Sequence, residues 1–143
     1  MGKRRRAREA ALSILYQLEF HAGKLEEVFR AFWADHPLPP EVQAFAEDLV
    51  AGTVAHREEI DALITRHTEH WRFTRIALVD RNILRLATYE FLFHREIPEK
   101  VIINEAIEIA KQYGSEDSGR FVNGILDKVR TITRPPLFEP AER

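Results

Sequence analysis

Five of the first eight residues can neutralise phosphate. Lys3, Arg4, Arg5, Arg6 and Arg8 are basic, and no acidic residue falls among them. Cations at this density bind polyanions by displacing condensed counterions, and the guanidinium adds a planar fork that fits phosphate oxygens or base edges. The plainer reading is a solvated, frayed helix start. The remaining 16 Lys and Arg face all 23 Asp and Glu, so a body near −7 carries a leader of +5 beneath a net charge of only −2. That polarity points to a polyanion held at one end. No second basic element of helix-turn-helix type follows, which leaves an arginine-rich segment that orders on RNA as a good alternative to a duplex-DNA reader.

A second group lies at Gly114-Ser115-Glu116-Asp117-Ser118-Gly119-Arg120-Phe121. Small and polar residues before an apolar repeat mark a helix start, whose unpaired N–H groups can meet phosphate, and Phe121 offers a ring to a base. The plainer reading is a capped helix with Phe121 in the core. Asp80 and Glu90 both fall in the apolar sector of one helix. Glu90 reads as one half of a buried ion pair, because an unpaired buried carboxylate is costly. Asp80, near that helix's start, reads as exposed and available to a partner. Tyr16 lies on a line with Arg5, Leu12 and Phe20, opposite the stripe Ala7, Ala11, Ile14 and Leu18. The first helix thus has two apolar faces, either both buried or one offered to a partner.

The remaining chemistry is sparse. His67 and His70 stand three apart, but no further ligands have metal-site spacing. There is no Gly-rich phosphate loop, H-E-x-x-H or G-x-S-x-G. The absence of cysteine excludes disulfides and thiolate zinc sites. No apolar run approaches a bilayer span and no signal-peptide h-region follows the leader, so the expectation is a cytoplasmic protein that needs no cofactor or metal.

These residues must be positioned by helices, because period-two alternation never persists. The apolar repeats predict helices over about 4–21, 25–35, from 40 through two stripes to about 64, 75–79 to 94, 98–113, and one capped by Ser115 with Glu116 and Asp117 in its first turn. His36-Pro37-Leu38-Pro39-Pro40 forces a loop. Residues 65–73 read as a bend. Gly52 reads as a kink or a close approach, and Gly114 as a left-handed C-cap. The segment around 75–94 is apolar except for a sector at Arg81, Arg85 and Thr88, as expected of a bundle's central helix. The fold class is all-α.

Three blocks carry a resemblance. They are Arg4-Arg5-Arg6-Ala7-Arg8-Glu9 through Leu15-Tyr16; Asp80-Arg81-Asn82-Ile83-Leu84-Arg85-Leu86-Ala87 through Tyr89-Glu90; and Pro98 through Asn104-Glu105-Ala106-Ile107-Glu108-Ile109-Ala110-Lys111, followed by Gly114 to Ser118 and Phe121 to Lys128. In these the chain resembles the NusB family of transcription antitermination factors; about 23–73 matches mostly in apolar pattern. The resemblance implies a NusB-like fold of about seven helices in two packed subdomains, about 1–72 and 73–134, with a loose tail over 135–143. It also implies binding of the boxA element of nascent ribosomal-RNA leader transcripts together with the ribosomal protein NusE, in a complex that loads onto RNA polymerase. By position, Lys3, Arg4, Arg5, Arg6, Arg8, Asp117, Arg120 and Phe121 would contact RNA, and Tyr16 and Asp80 the protein partner. Arg120 stands where another polar residue is common.

Three rivals stand beside this reading. One is a helical domain serving an RNA-modifying enzyme, for which 143 residues leave no room. Another is a small enzyme built on Arg81, Arg85 and Glu90, and the third a purely protein-binding scaffold. Apolar stripes fit a core or a homodimer interface equally well.

Overall fold

Among the described residues the apolar repeats fold into seven α-helices: α1 (Lys3–Leu18), α2 (Leu25–Asp35), α3 (Pro40–Ala55), α4 (Arg57–Arg66), α5 (Leu78–Phe93), α6 (Glu99–Tyr113) and α7 (Ser118–Thr133), with a 3₁₀ turn at Phe73–Arg75. The structure, a computed structural model, describes residues 2–68 and 73–135. Glu69, His70 and most of the tail expected to be loose lie outside the described residues.

α5 organises the rest. It packs on α1, α3, α4, α6 and α7, and every residue from Asn82 to Phe91 is buried. The polar sector expected around Arg85 is therefore covered too, and each charge inside needs a partner. Arg85 has them. Its Nε and Nη2 donate to the two oxygens of Asp61 on α4 at 2.8 and 3.0 Å, and Nη1 donates to Glu19 and Asn82 at 2.9 Å each. Glu90 accepts two bonds from Arg8 of α1, at 2.9 and 2.7 Å, the buried ion pair its position predicts. At the C-terminal end of α5, Arg134 donates to the carbonyls of Glu90, Phe91, His94 and Ile97 at 2.6–3.1 Å, satisfying acceptors that a helix end leaves open.

Three expectations need correction. The stretch 40–64 breaks at His56, which ends α3 and begins α4, rather than at Gly52. Gly52 serves close approach, since a Cβ there would overlap the Tyr89 ring. Gly114 is not left-handed; its φ is −97° and its ψ −163°. It is there for space, since a Cβ would overlap Ser118 Oγ and come within 2.8 Å of the Ala110 carbonyl oxygen. Ser115 does not cap α7, which starts at Ser118 with Asp117 at the N-cap position; instead the Ser115 N–H donates to Ser118 Oγ at 2.8 Å.

Candidate nucleic-acid interface

The leader is helical from Lys3 onward, so the 100° step per residue sends its cations in different directions. Arg8 points inward. It is 5 % exposed and committed to Glu90, itself 2 % exposed. Arg8 is thus a buried guanidinium held bidentately by Glu90, unlike the exposed cations around it. Arg5 is half-buried and pairs with Glu105 of α6, with Nη2 donating at 3.0 Å. That side-chain hydrogen bond raises the Arg5 pKa and lowers that of Glu105. Lys3 pairs with Glu41 of α3. The Arg4 guanidinium lies 4.3 Å from the centre of the Phe45 ring, a cation–π contact that holds it in place. Lys3, Arg4 and Arg6 are exposed. Arg4, Arg5, Ile97, Val101 and Glu105 line a hollow between the leader and the start of α6.

The second group forms around the start of α7. Asp117 and Arg120 are exposed, while Ser118 and Gly119 are buried. The Asp117 carboxylate makes no capping bond. Phe121 is half-buried against the core. Asp117, Ser118 and Phe121 share a surface pocket with Ser115, Arg75 and Asp80. Here the expectation for Asp80 changes: it is 7 % exposed, because the first turn of α5 lies under the start of α7. Burial pushes its carboxyl above the usual range, against a hydrogen bond from Ser118. Arg75 joins this group without a sequence signal, since it belongs to no apolar repeat.

α6 sets the spacing of the two groups. The leader meets it at Glu105, and α7 begins just past its end. At 1.5 Å per residue that separates them by about 12 Å along the helix.

Tyr16 and Phe20 stay outside, at 42 % and 61 % exposed, with ring centres 5.3 Å apart. Leu12, on the same line, is buried against α5 and α6. The second face of α1 is thus covered along its first half and open at its end. The Arg81, Arg85 and Glu90 trio does not assemble: Arg85 is engaged by Asp61 and Glu19, and Glu90 by Arg8. Among the described residues no group of three or more His, Asp or Glu is placed to hold a metal, and no helix is long and apolar enough to cross a membrane.

Comparison with known proteins decides the family. Residues 5–131 match the NusB family model. The chain belongs to the NusB family. It is 54 % identical over 129 residues to the transcription antitermination protein NusB of Desulfitobacterium hafniense, covering 88 % of this chain and 86 % of that one. Among solved NusB folds it superposes on T. maritima NusB with a TM-score of 0.82 at 45 % identity, over 90 % of each chain. It also superposes on a chain from a crystal structure of antitermination factors NusB and NusE in complex with dsRNA, with a TM-score of 0.83 at 28 % identity, over 92 % of this chain and 98 % of that one.

Proposed function

We propose that this NusB-family chain is a non-enzymatic, RNA-binding antitermination factor that joins NusE on the boxA element of nascent ribosomal-RNA leader transcripts, in a complex that helps RNA polymerase resist termination. The observation that carries the reading is a pair of surfaces at a fixed spacing. Exposed cations at the start of α1 are joined through α6 to an open polar and aromatic start of α7. Lys3, Arg4, Arg6 and Arg120 neutralise phosphates, and Arg5 lends its charge from the rim beside Glu105. Phosphate contacts give affinity and orientation without sequence information. Phe121 supplies stacking, and Asp117 accepts from a base amine. Tyr16, with Phe20 beside it, supplies an aromatic contact of the kind enriched at protein interfaces, and is assigned to NusE. Asp80, placed with NusE by family resemblance, can meet a partner only through a group that enters its pocket.

RNA binding by the chain, with and without NusE, to boxA and scrambled RNAs over several salt concentrations tests the proposal. Tighter binding of boxA when NusE is present is expected; equal binding of both RNAs refutes the sequence-specific claim.

A further inference from the structure

Three guanidiniums and two carboxylates gather where α4, α5 and the end of α1 meet. The carboxylates, Glu19 and Asp61, are both taken. Arg85 donates to them at 2.8–3.0 Å, and Arg57 stands 3.8 Å from Glu19 and 3.7 Å from Asp61. Arg81, one turn before Arg85, has neither. Among the described residues its guanidinium makes no hydrogen bond and no ion pair. It lies 5.4 Å from the centre of the Phe73 ring, which the Arg85 guanidinium also faces at 5.2 Å. Desolvation and the like charges of Arg85 and Arg57 lower its pKa, against the pull of Glu19 and Asp61. The cluster thus holds one positive charge more than its carboxylates answer. Arg81 is half-buried. Its Nε is sealed inside, but the two Nη nitrogens at the outer end stay open to solvent.

We propose that the outer end of Arg81, with Arg57 beside it, captures a single carboxylate side chain of the protein partner NusE. The inference rests on the assignment of NusE to the Tyr16 face proposed above, and it adds a charged rim to that face. Glu19 joins the two. It accepts from Arg85 and stands beside Arg57, Phe20 follows it directly in the chain, and Tyr16 lies one turn earlier on α1. A protein seated on Tyr16 and Phe20 therefore has the Arg81 Nη groups at its edge. The open atoms are N–H donors on a permanent cation, so the occupant must be an acceptor and an anion. A carboxylate fits the guanidinium fork through two parallel bonds. The cation–π contact with Phe73 already orders the guanidinium, so less freedom is lost on capture. RNA fits this place poorly. Its charge repeats at every nucleotide, and the next phosphates would meet Glu58 and Glu59, both exposed in the first turn of α4 beside Arg57. One carboxylate on a protein chain needs only the one unanswered charge.

Titration calorimetry of NusE against the full chain tests this, using unaltered NusE and a scan in which each of its Asp and Glu residues is replaced in turn by Lys. Arg81→Gln should weaken NusE binding about tenfold, the worth of one charge-assisted hydrogen bond, and Arg81→Glu should weaken it further. One Lys variant of NusE should lose affinity for the unaltered chain, lose little more against Arg81→Gln, and regain affinity with Arg81→Glu. Such a cycle reads a direct pair, which a purely structural role for Arg81 would not produce. Thermal melts check each fold, and the Arg81→Gln arm stands alone if the reversed charge destabilises α5. NusE binding that survives Arg81→Glu but is lost in Tyr16→Ala overturns the inference and keeps the reading of the Tyr16 face. Weakening by Arg81→Gln that couples to no NusE residue overturns the captured carboxylate. Weaker RNA binding by Arg81→Gln in the absence of NusE overturns it in favour of a phosphate. NusE binding untouched by both Tyr16→Ala and Arg81→Glu overturns the inference and the Tyr16 assignment together.

Discussion

Arg6 and Arg8 stand two positions apart in the same basic run and do opposite work. Arg6 is exposed, whereas Arg8 is inside, holding Glu90. Removing one member of a buried pair strands the other charge and costs about 3–5 kcal/mol. Arg8→Ala should therefore lower the denaturation midpoint by that order, and Arg8→Met with Glu90→Leu should recover most of it. An Arg8→Ala protein of unchanged stability but weakened RNA binding would return Arg8 to the interface. His94 gives a pH signature. Burial opposes its charge, yet hydrogen bonds to Glu96 and Asp48 more than offset this and raise its pKa above the ordinary 6.5. A raised folded-state pKa stabilises fully below the ordinary value and is lost as pH climbs through the raised one. The stability advantage over His94→Gln should thus be larger at pH 6 than at pH 9 in urea titrations; a constant difference would refute the linkage. Residue types in the sequence foretold which side chains are charged and that Glu90 needed a partner. They did not foretell that Arg8 was that partner or that Asp80 was covered, because both depend on which helix crosses α5.

Between elements, glycine marks where helices touch. Gly52 lets Tyr89 of α5 lie against α3, where the Tyr89 hydroxyl donates to Asp48 at 3.1 Å. Gly52→Ala puts a methyl group into that ring and should cost about 1–3 kcal/mol, as overpacking does. Gly124 is the contrast. It lies on the exposed face of α7 with nothing within 4 Å of a Cβ, so Gly124→Ala should stabilise by about 0.5–1 kcal/mol through helix propensity and reduced chain entropy. Equal and same-signed shifts in the two melting curves would refute this division. Most helix boundaries were legible because the 3.6-residue period and the prolines report local structure. The break at His56 was not, since the apolar stripes run on either side of it and no Gly or Pro marks the join. Ser115 misled for a related reason. A serine before a helix can cap, but here its N–H bonds to Ser118, and the tight turn around Gly114 moves the helix start two residues on. That turn is also what brings Asp117 and Phe121 to the pocket.

Over the whole molecule, a body near −7 repels a polyanion, and the +5 leader is the end at which RNA contact is proposed. The sequence overstated the leader's reach, since Arg8 is spent internally and Arg5 is shared with Glu105. The exposed set is Lys3, Arg4 and Arg6, and two of these are already placed by Glu41 and Phe45. Lys3 and Glu41 are both exposed, so giving that pair up for phosphate costs little. For single-stranded RNA each neutralised phosphate contributes about 0.7 to the slope of log affinity against log salt. Replacing Lys3, Arg4 and Arg6 together by alanine should therefore flatten that slope by about 2 if each meets one phosphate, and weaken boxA and scrambled RNA alike. The melting temperature should barely move, because none of the three is buried. An unchanged slope in the triple variant would mean that the basic start of α1 is not where RNA is held.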